Sequence, residues 1–386
     1  MTARRHRAAL CLLVLATACG GSSSAPTGAS SATPRPAPSA IAIVQPANSG
    51  IPALLDPTDV YAADRPGMLT ATTRLAKSLV YVPNSGDHTV SVIDPTTYKV
   101  IRTLRTGKQP QHITPGYDMK TLWVDNDKGN SLTPIDPTTG EFGKNVPVDD
   151  PYNLYFTADG KHAVVVAEAL QQLDFREPHT MVLQKRLSVP CNGVDHMDFS
   201  ADGTHALVSC EFGSKMLWVD MVNQVLVKSI TLRPGSMPQD VKTSPDGKTF
   251  YVADMAHGGI YLVDAATVEV TGFLPTGSNA HGIYVSRDSK SLYVSNRLGP
   301  SVSVIDIATN TVRATWPIPG GSPDMGGVSA DGKVLWLSGR YTREVYAIDV
   351  TDGHLLARIK VGNGPHGLCV WPQPGRYSLG HTGTLR

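Results

Sequence analysis

The sequence has little net charge. Its 34 Lys and Arg residues nearly balance 33 Asp and Glu, leaving +1, and charged residues are only 17% of the chain. That composition gives no electrostatic case for nucleic acid or an anionic membrane surface. Long apolar runs are missing as well. The uncharged stretch Ala8–Ala18 covers 11 residues, and a bilayer span needs roughly 20. Helical periodicity is scarce past residue 60. Cysteine is scarce too, at five. No Cys-x-x-Cys-His, nucleophile elbow, phosphate loop or compact metal-binding spacing occurs, so no short motif announces a reaction. Glycine (36) and proline (29) are plentiful, as many tight turns require.

The start of the chain sets an expectation about compartment. Basic residues Arg4, Arg5 and Arg7 precede the short apolar run, the order of a secretory signal peptide over residues 1–18. Ala16-Thr17-Ala18 is an A-x-A cleavage site, and Cys19 directly after it resembles the lipidated cysteine of bacterial lipoproteins. Residues 19–40, nearly all Gly, Ser, Ala, Thr and Pro, cannot bury enough apolar surface to offset their ordering entropy and read as a flexible linker. The expectation is export to the outer face of the cell membrane by a lipid anchor at Cys19. A secreted or periplasmic protein is the alternative.

Internal repetition carries the fold. The segments LVYVPNSGDHTVSVIDPTTYKVIRTLRTG, FYVADMAHGGIYLVDAATVEVTGFLPTG and LYVSNRLGPSVSVIDIATNTVRATWPIPG repeat one plan of strands and turns. An Asp closes the second strand at Asp94, Asp136, Asp174, Asp220, Asp264, Asp306 and Asp349, with gaps of 42, 38, 46, 44, 42 and 43 residues. Seven units of about four strands each fit the blade period of a β-propeller. Asp-Gly turns at Asp159-Gly160, Asp202-Gly203, Asp246-Gly247 and Asp331-Gly332 separate strands within units. The last unit runs into His366 to Trp371, a strand that the first unit lacks. The expected fold is therefore all-β: a seven-bladed β-propeller of four-stranded blades over residues 79–372, closed by the C-terminal strand. An N-terminal arm (41–78) and a C-terminal tail (373–386) lie outside the blades.

These copies resemble the YVTN-type repeat of YncE-like β-propeller proteins, over residues 79 to about 372. The resemblance implies that the innermost strand starts at the face where the second strand ends. Two sets of positions then meet at one mouth. The first is His112, Asn153, His196, Asp240, His281, Asp324 and His366. The second is Asn84, Asn126, Glu168, Glu211, Asp254, Asn296 and Gly339, with Arg297 and Arg340 following. In one reading these side chains satisfy turns and strand ends, as Asn and Asp commonly do. In the other they form a site for a polar ligand or a divalent metal ion, since imidazole with carboxylate suits zinc or copper. The Asp residues that close the second strands read as turn-stabilising. Cys191 and Cys210 flank a hairpin and are disulfide candidates in an oxidising compartment.

The leading functional expectation is a monomeric binding module of the cell envelope, presenting the His/carboxylate face to a small ligand, a metal ion or a partner protein. A metal-dependent enzyme similar to propeller lactonases and lyases is the alternative, with His112, His281 or His366 as base and Glu168 or Glu211 as metal ligand or acid. Single-stranded DNA binding, carried over from the family, is the third. It needs stacking aromatics, and Trp123, Tyr251, Tyr293, Trp336 and Tyr346 sit in strand patterns that read as core.

Overall fold

The computed structural model describes residues 42–47, 49–381 and 384–386. The expected signal peptide, the Cys19 lipidation site and the linker 19–40 lie outside the described residues. The chain folds into seven antiparallel sheets of four strands; in one of them the outermost strand is split into Glu141–Phe142 and Val146–Pro147. The innermost strands of blades 2 to 7 are Pro110–Pro115, Pro151–Phe156, Val194–Phe199, Pro238–Thr243, Ala280–Val285 and Pro323–Val328. Blade 1 takes its innermost strand, Cys369–Trp371, from the far end of the propeller sequence. It pairs Leu79 with Trp371, Val80 with Val370 and Tyr81 with Cys369. This closes the ring and removes the open edge that an incomplete propeller would expose.

Burial follows position within the blade. The innermost strand of blade 2 is buried at every residue, because the channel lies on one side of it and neighbouring blades flank it. The outermost strand of blade 1, Lys99–Arg105, alternates exposed and half-buried residues, the period-2 pattern of a strand wetted on one face. Sheet-to-sheet packing of the apolar second and third strands, such as Tyr81, Val90 and Val92 against Val124 and Ile135, makes the core.

Six of the seven strand-closing Asp residues do stabilise turns; Asp94 and Asp136, for example, accept the Thr96 and Thr138 amides at 2.8 Å. Asp174 does not. Its strand runs on to Arg176, and Asp174 binds the Arg176 guanidinium at 2.8 Å. Glu177 takes the turn instead, accepting the His179 amide at 3.0 Å. Counting from Glu177, the two irregular spacings become 41 and 43 residues, so the repeat is more regular than its Asp residues suggest.

The arm packs on the face where innermost strands end; Val60 donates to the Pro245 carbonyl and Tyr61 to the Thr243 carbonyl. The tail is part of no blade, yet it does not lie on the outside. Ser378 donates to the Tyr117 carbonyl, His381 donates to that of Leu154, and Leu379 accepts from Phe156, so the tail threads along the innermost strands of blades 2 and 3. Gly380 permits this approach, since a Cβ there would stand 2.6 Å from the Tyr155 Cα. Arg386 is buried against Asp198 at 3.6 Å and over the Tyr61 ring. Arm and tail together close that end of the channel.

Candidate functional site

The ladder registers decide which residues are equivalent. Pro110, Pro151, Val194, Pro238, Ala280 and Pro323 each pair with the last residue of the second strand: Asn126, Ala167, Cys210, Asp254, Asn296 and Gly339. Pro365 bridges to Asn84 in the same way. Just after this residue every innermost strand in blades 2 to 7 carries a register shift with one extra residue. Such a bulge re-aims side chains. Here it sends two successive residues toward the channel, so two levels form where simple alternation would give one.

The seven residues expected to form one ring are divided between these levels. His281, Asp324 and His366 stand one residue after the paired position, together with Gln111, Tyr152, Asp195 and Gln239. His112, Asn153, His196 and Asp240 stand two residues after it, deeper in the channel. The second set needs a similar correction. Glu168 and Glu211 follow the paired residues Ala167 and Cys210, so their equivalents are Asp127, Arg297 and Arg340. These five, with the upper-level residues Gln111, Tyr152, Gln239, His281 and His366, line a mouth cavity of about 240 Å³.

The cavity is polarised. On one side Asp324 accepts from Arg297 Nε at 2.8 Å and Nη2 at 2.6 Å. Its second oxygen lies 2.7 Å from His366 Nδ1, and Arg297 also touches His281. Burial alone would raise the Asp324 carboxyl, but Arg297, and then His366, hold it well below the usual carboxylate range. Burial lowers His366 to about 4, so its imidazole is neutral at pH 7. On the other side carboxylates crowd together. Burial, and then the neighbouring Glu211, push Glu168 up to about 7. Asp195 is also raised well above the usual carboxylate range, by burial first and then by Glu211 and Glu168.

The lower level is mixed. Asp240 bridges blades by accepting the Val241 amide at 2.9 Å and the Ile283 amide at 2.8 Å, and burial raises its carboxyl to about 7. Asn153 accepts the Leu154 amide and places its Nδ2 2.8 Å from His196 Nδ1. His112 fits only because Gly367 has no side chain; a Cβ there would overlap the imidazole. Both His112 ring nitrogens, His196 Nε2 and both Asp195 oxygens are buried without a hydrogen-bond partner. Each such orphan costs roughly 1–3 kcal/mol.

Three expected residues prove to be scaffold. Asn84, Asn126 and Asn296 bind the hydroxyls of Ser91, Thr133 and Ser303 at 2.8–3.0 Å. Asp254 is likewise outside the cavity, because its carboxylate accepts the Met237 and Ala256 amides at 2.8 and 3.1 Å and pairs with His257 at 2.6 Å. The five aromatic residues Trp123, Tyr251, Tyr293, Trp336 and Tyr346 are buried and offer no stacking platform. Sequence reasoning missed Gln111, Tyr152, Gln239 and Asp127. Aligning the prolines that open the innermost strands would have found the first three. It also missed His381, which lies outside the repeat. Cys191 and Cys210 are disulfide-bonded, with 5.3 Å between Cα atoms. The bond braces the entry to Asp195 and His196 against the end of the strand that Glu211 follows.

A seven-bladed propeller with a polar mouth and a closed far end is a widely reused scaffold. The chain belongs to the YncE-like beta-propeller family, which matches residues 53–375. No curated protein matches it. Among solved structures it is similar to hydrazine synthase of Kuenenia stuttgartiensis, at 21% identity over 75% of this chain and 97% of that one, with TM-score 0.63. It is similar to a periplasmic gluconolactonase of Pseudomonas aeruginosa, at 18% identity over 77% and 99%, TM-score 0.64. A functionally unknown protein from Desulfotomaculum acetoxidans matches at 15% identity over 77% and 100%, TM-score 0.64. At these identities the likeness is one of fold.

Proposed function

We propose that the protein is a cell-envelope binding module whose mouth cavity takes a small polar ligand with an anionic end. One observation carries this reading: the cavity of about 240 Å³ is lined almost entirely by polar side chains, with guanidinium groups on one side and raised carboxyls on the other. Arg340, which makes only weak contacts of 3.4 and 3.3 Å to Ser85 Oγ and the Gly364 carbonyl, has donors left for an anion. Glu168, Glu211 and the glutamines suit hydroxyl or ammonium groups. The volume is below the range of drug-sized ligands, which favours a sugar acid or an amino acid over an extended polymer. The disulfide supports an oxidising compartment, in line with export and lipidation at Cys19. Fatty-acid labelling that disappears in Cys19→Ser is the expected result for the anchor, and equal labelling in both would contradict it.

The test of the mouth is a thermal-shift screen of aldonates and amino acids, followed by calorimetry. A ligand with micromolar affinity, weakened at least about tenfold by Arg340→Ala, is expected. Ligands that bind the variant as well as the wild type would overturn the reading.

One observation favours a second reading, hydrolysis of a small lactone. His366 lines the cavity as a neutral imidazole oriented by Asp324 at 2.7 Å, the arrangement of a general base. The similar fold of a gluconolactonase makes glucono-lactone the first substrate to try. His366→Gln then lowers the rate by about 10²–10⁴-fold; a rate no faster than the spontaneous one in the wild type removes this reading and leaves the binding module.

A further inference from the structure

We propose that the hub beneath the mouth is a metal site, with His112, His196 and His381 as ligands to one zinc or copper ion. The three imidazoles come from the innermost strands of blades 2 and 4 and from the tail. Their donor nitrogens all lie within 4.8 Å of one another, and all three side chains are buried. Ring centroids are 4.1 Å apart for His112 and His381, 5.3 Å for His112 and His196, and 5.6 Å for His196 and His381. His112 has no hydrogen bond at either ring nitrogen, and His196 Nε2 makes none although Asp195 Oδ1 lies 3.3 Å away. A buried polar side chain left in that state calls for a partner that the blades do not supply.

The donor set selects the ion. Imidazoles suit zinc and copper, whereas calcium and magnesium take oxygen ligands. Zinc–nitrogen bonds of about 2.0–2.1 Å place donors about 3.4 Å apart, so the cluster must contract by about 1.4 Å, within reach of small χ rotations. Asp195, buried, places its carboxyl beside the ion, with Oδ1 3.3 Å from His196 Nε2. With metal on Nε2, the His196 proton sits on Nδ1, where the Tyr155 hydroxyl oxygen 3.3 Å away accepts it, an outer partner of the kind a ligating histidine takes. Because His381 belongs to the tail, the ion also latches the tail into the hub.

This site is distinct from the mouth ligand, and its test separates the two. The untagged full chain is loaded with Zn²⁺ or Co²⁺, dialysed and analysed for metal, and the Co²⁺ form is read by its visible spectrum. One ion per chain with a tetrahedral Co²⁺ spectrum is expected. His381→Gln, outside the blades, is expected to weaken binding at least about 100-fold while circular dichroism stays unchanged; His112→Gln does the same. Arg340→Ala leaves metal affinity intact. No stoichiometric ion in the wild type, or affinity in His381→Gln and His112→Gln equal to that of the wild type, overturns the site, whatever the mouth binds.

Discussion

The two sides of the mouth differ in how far the chain itself has neutralised them. On the side of blades 6, 7 and 1, Arg297, Asp324 and His366 close on one another at 2.6–2.8 Å. That side is finished within the fold, and only Arg340 reaches out with weak contacts. On the side of blades 2 to 4, Glu211 raises the Glu168 carboxyl, and Glu211 and Glu168 raise that of Asp195, on top of what burial does; Lys128, 3.0 Å from Asp127, offsets only part of this at Glu168. A paired charge in a low-dielectric site is preorganised, whereas a crowded set of carboxylates is completed by a proton or by a ligand. The contrast separates the residues that shape the cavity from those that respond to its contents.

The largest way to break this contrast is to undo the finished side. Arg297→Ala leaves Asp324 as a buried carboxylate without its guanidinium, and a loss of about 3–5 kcal/mol is expected in urea unfolding. A loss below about 1 kcal/mol would mean that the ion pair does not hold that side. Next comes the brace of the acidic side. Cys191→Ser opens a loop of 19 residues, with an expected cost of about 2–4 kcal/mol in the same assay. Unchanged stability under reducing and oxidising conditions would argue against the brace.

The smallest effect sharpens the contrast through pH. Glu168 has a folded pKa of about 7 against an ordinary value of 4.5. Between those values the folded chain holds a proton that the unfolded chain has lost, so stability falls as pH rises through 7. Glu168→Gln removes that fall. The variant should match the wild type near pH 4.5 and exceed it by about 1–2 kcal/mol above pH 7, after discounting for partial exposure. Equal pH profiles would show that the carboxyl is not crowded.

The fold was legible because a propeller repeats its turn chemistry: Asp94, Asp136 and their counterparts mark each blade, and the strand before Trp371 completes the blade that opens at Leu79. Only Asp174 misled, since blade 3 uses Glu177 for the same turn and the spacing absorbed the error. The site was half legible. Its residue types lay in the repeat, but the bulge after each paired residue is a backbone event with no side-chain signature. It moved His281, Asp324 and His366 one level above His112 and His196, and placed Glu168 and Glu211 on the rim with Arg297 and Arg340. Asp254 looked the same in sequence yet turned to cap its own strand end. His381 could not be found from periodicity, because the tail that carries it follows no repeat.

The most direct measurement is a carboxyl titration by carbon-detected NMR on protein labelled at glutamate, practical because the sequence has only six Glu residues. The expected result is one resonance, lost in Glu168→Gln, that titrates near pH 7 in the free protein and moves when a mouth ligand is added. If all six titrate in the ordinary range of about 4–5, the acidic side is not uncompensated, and the polarised cavity is not a site waiting for a ligand.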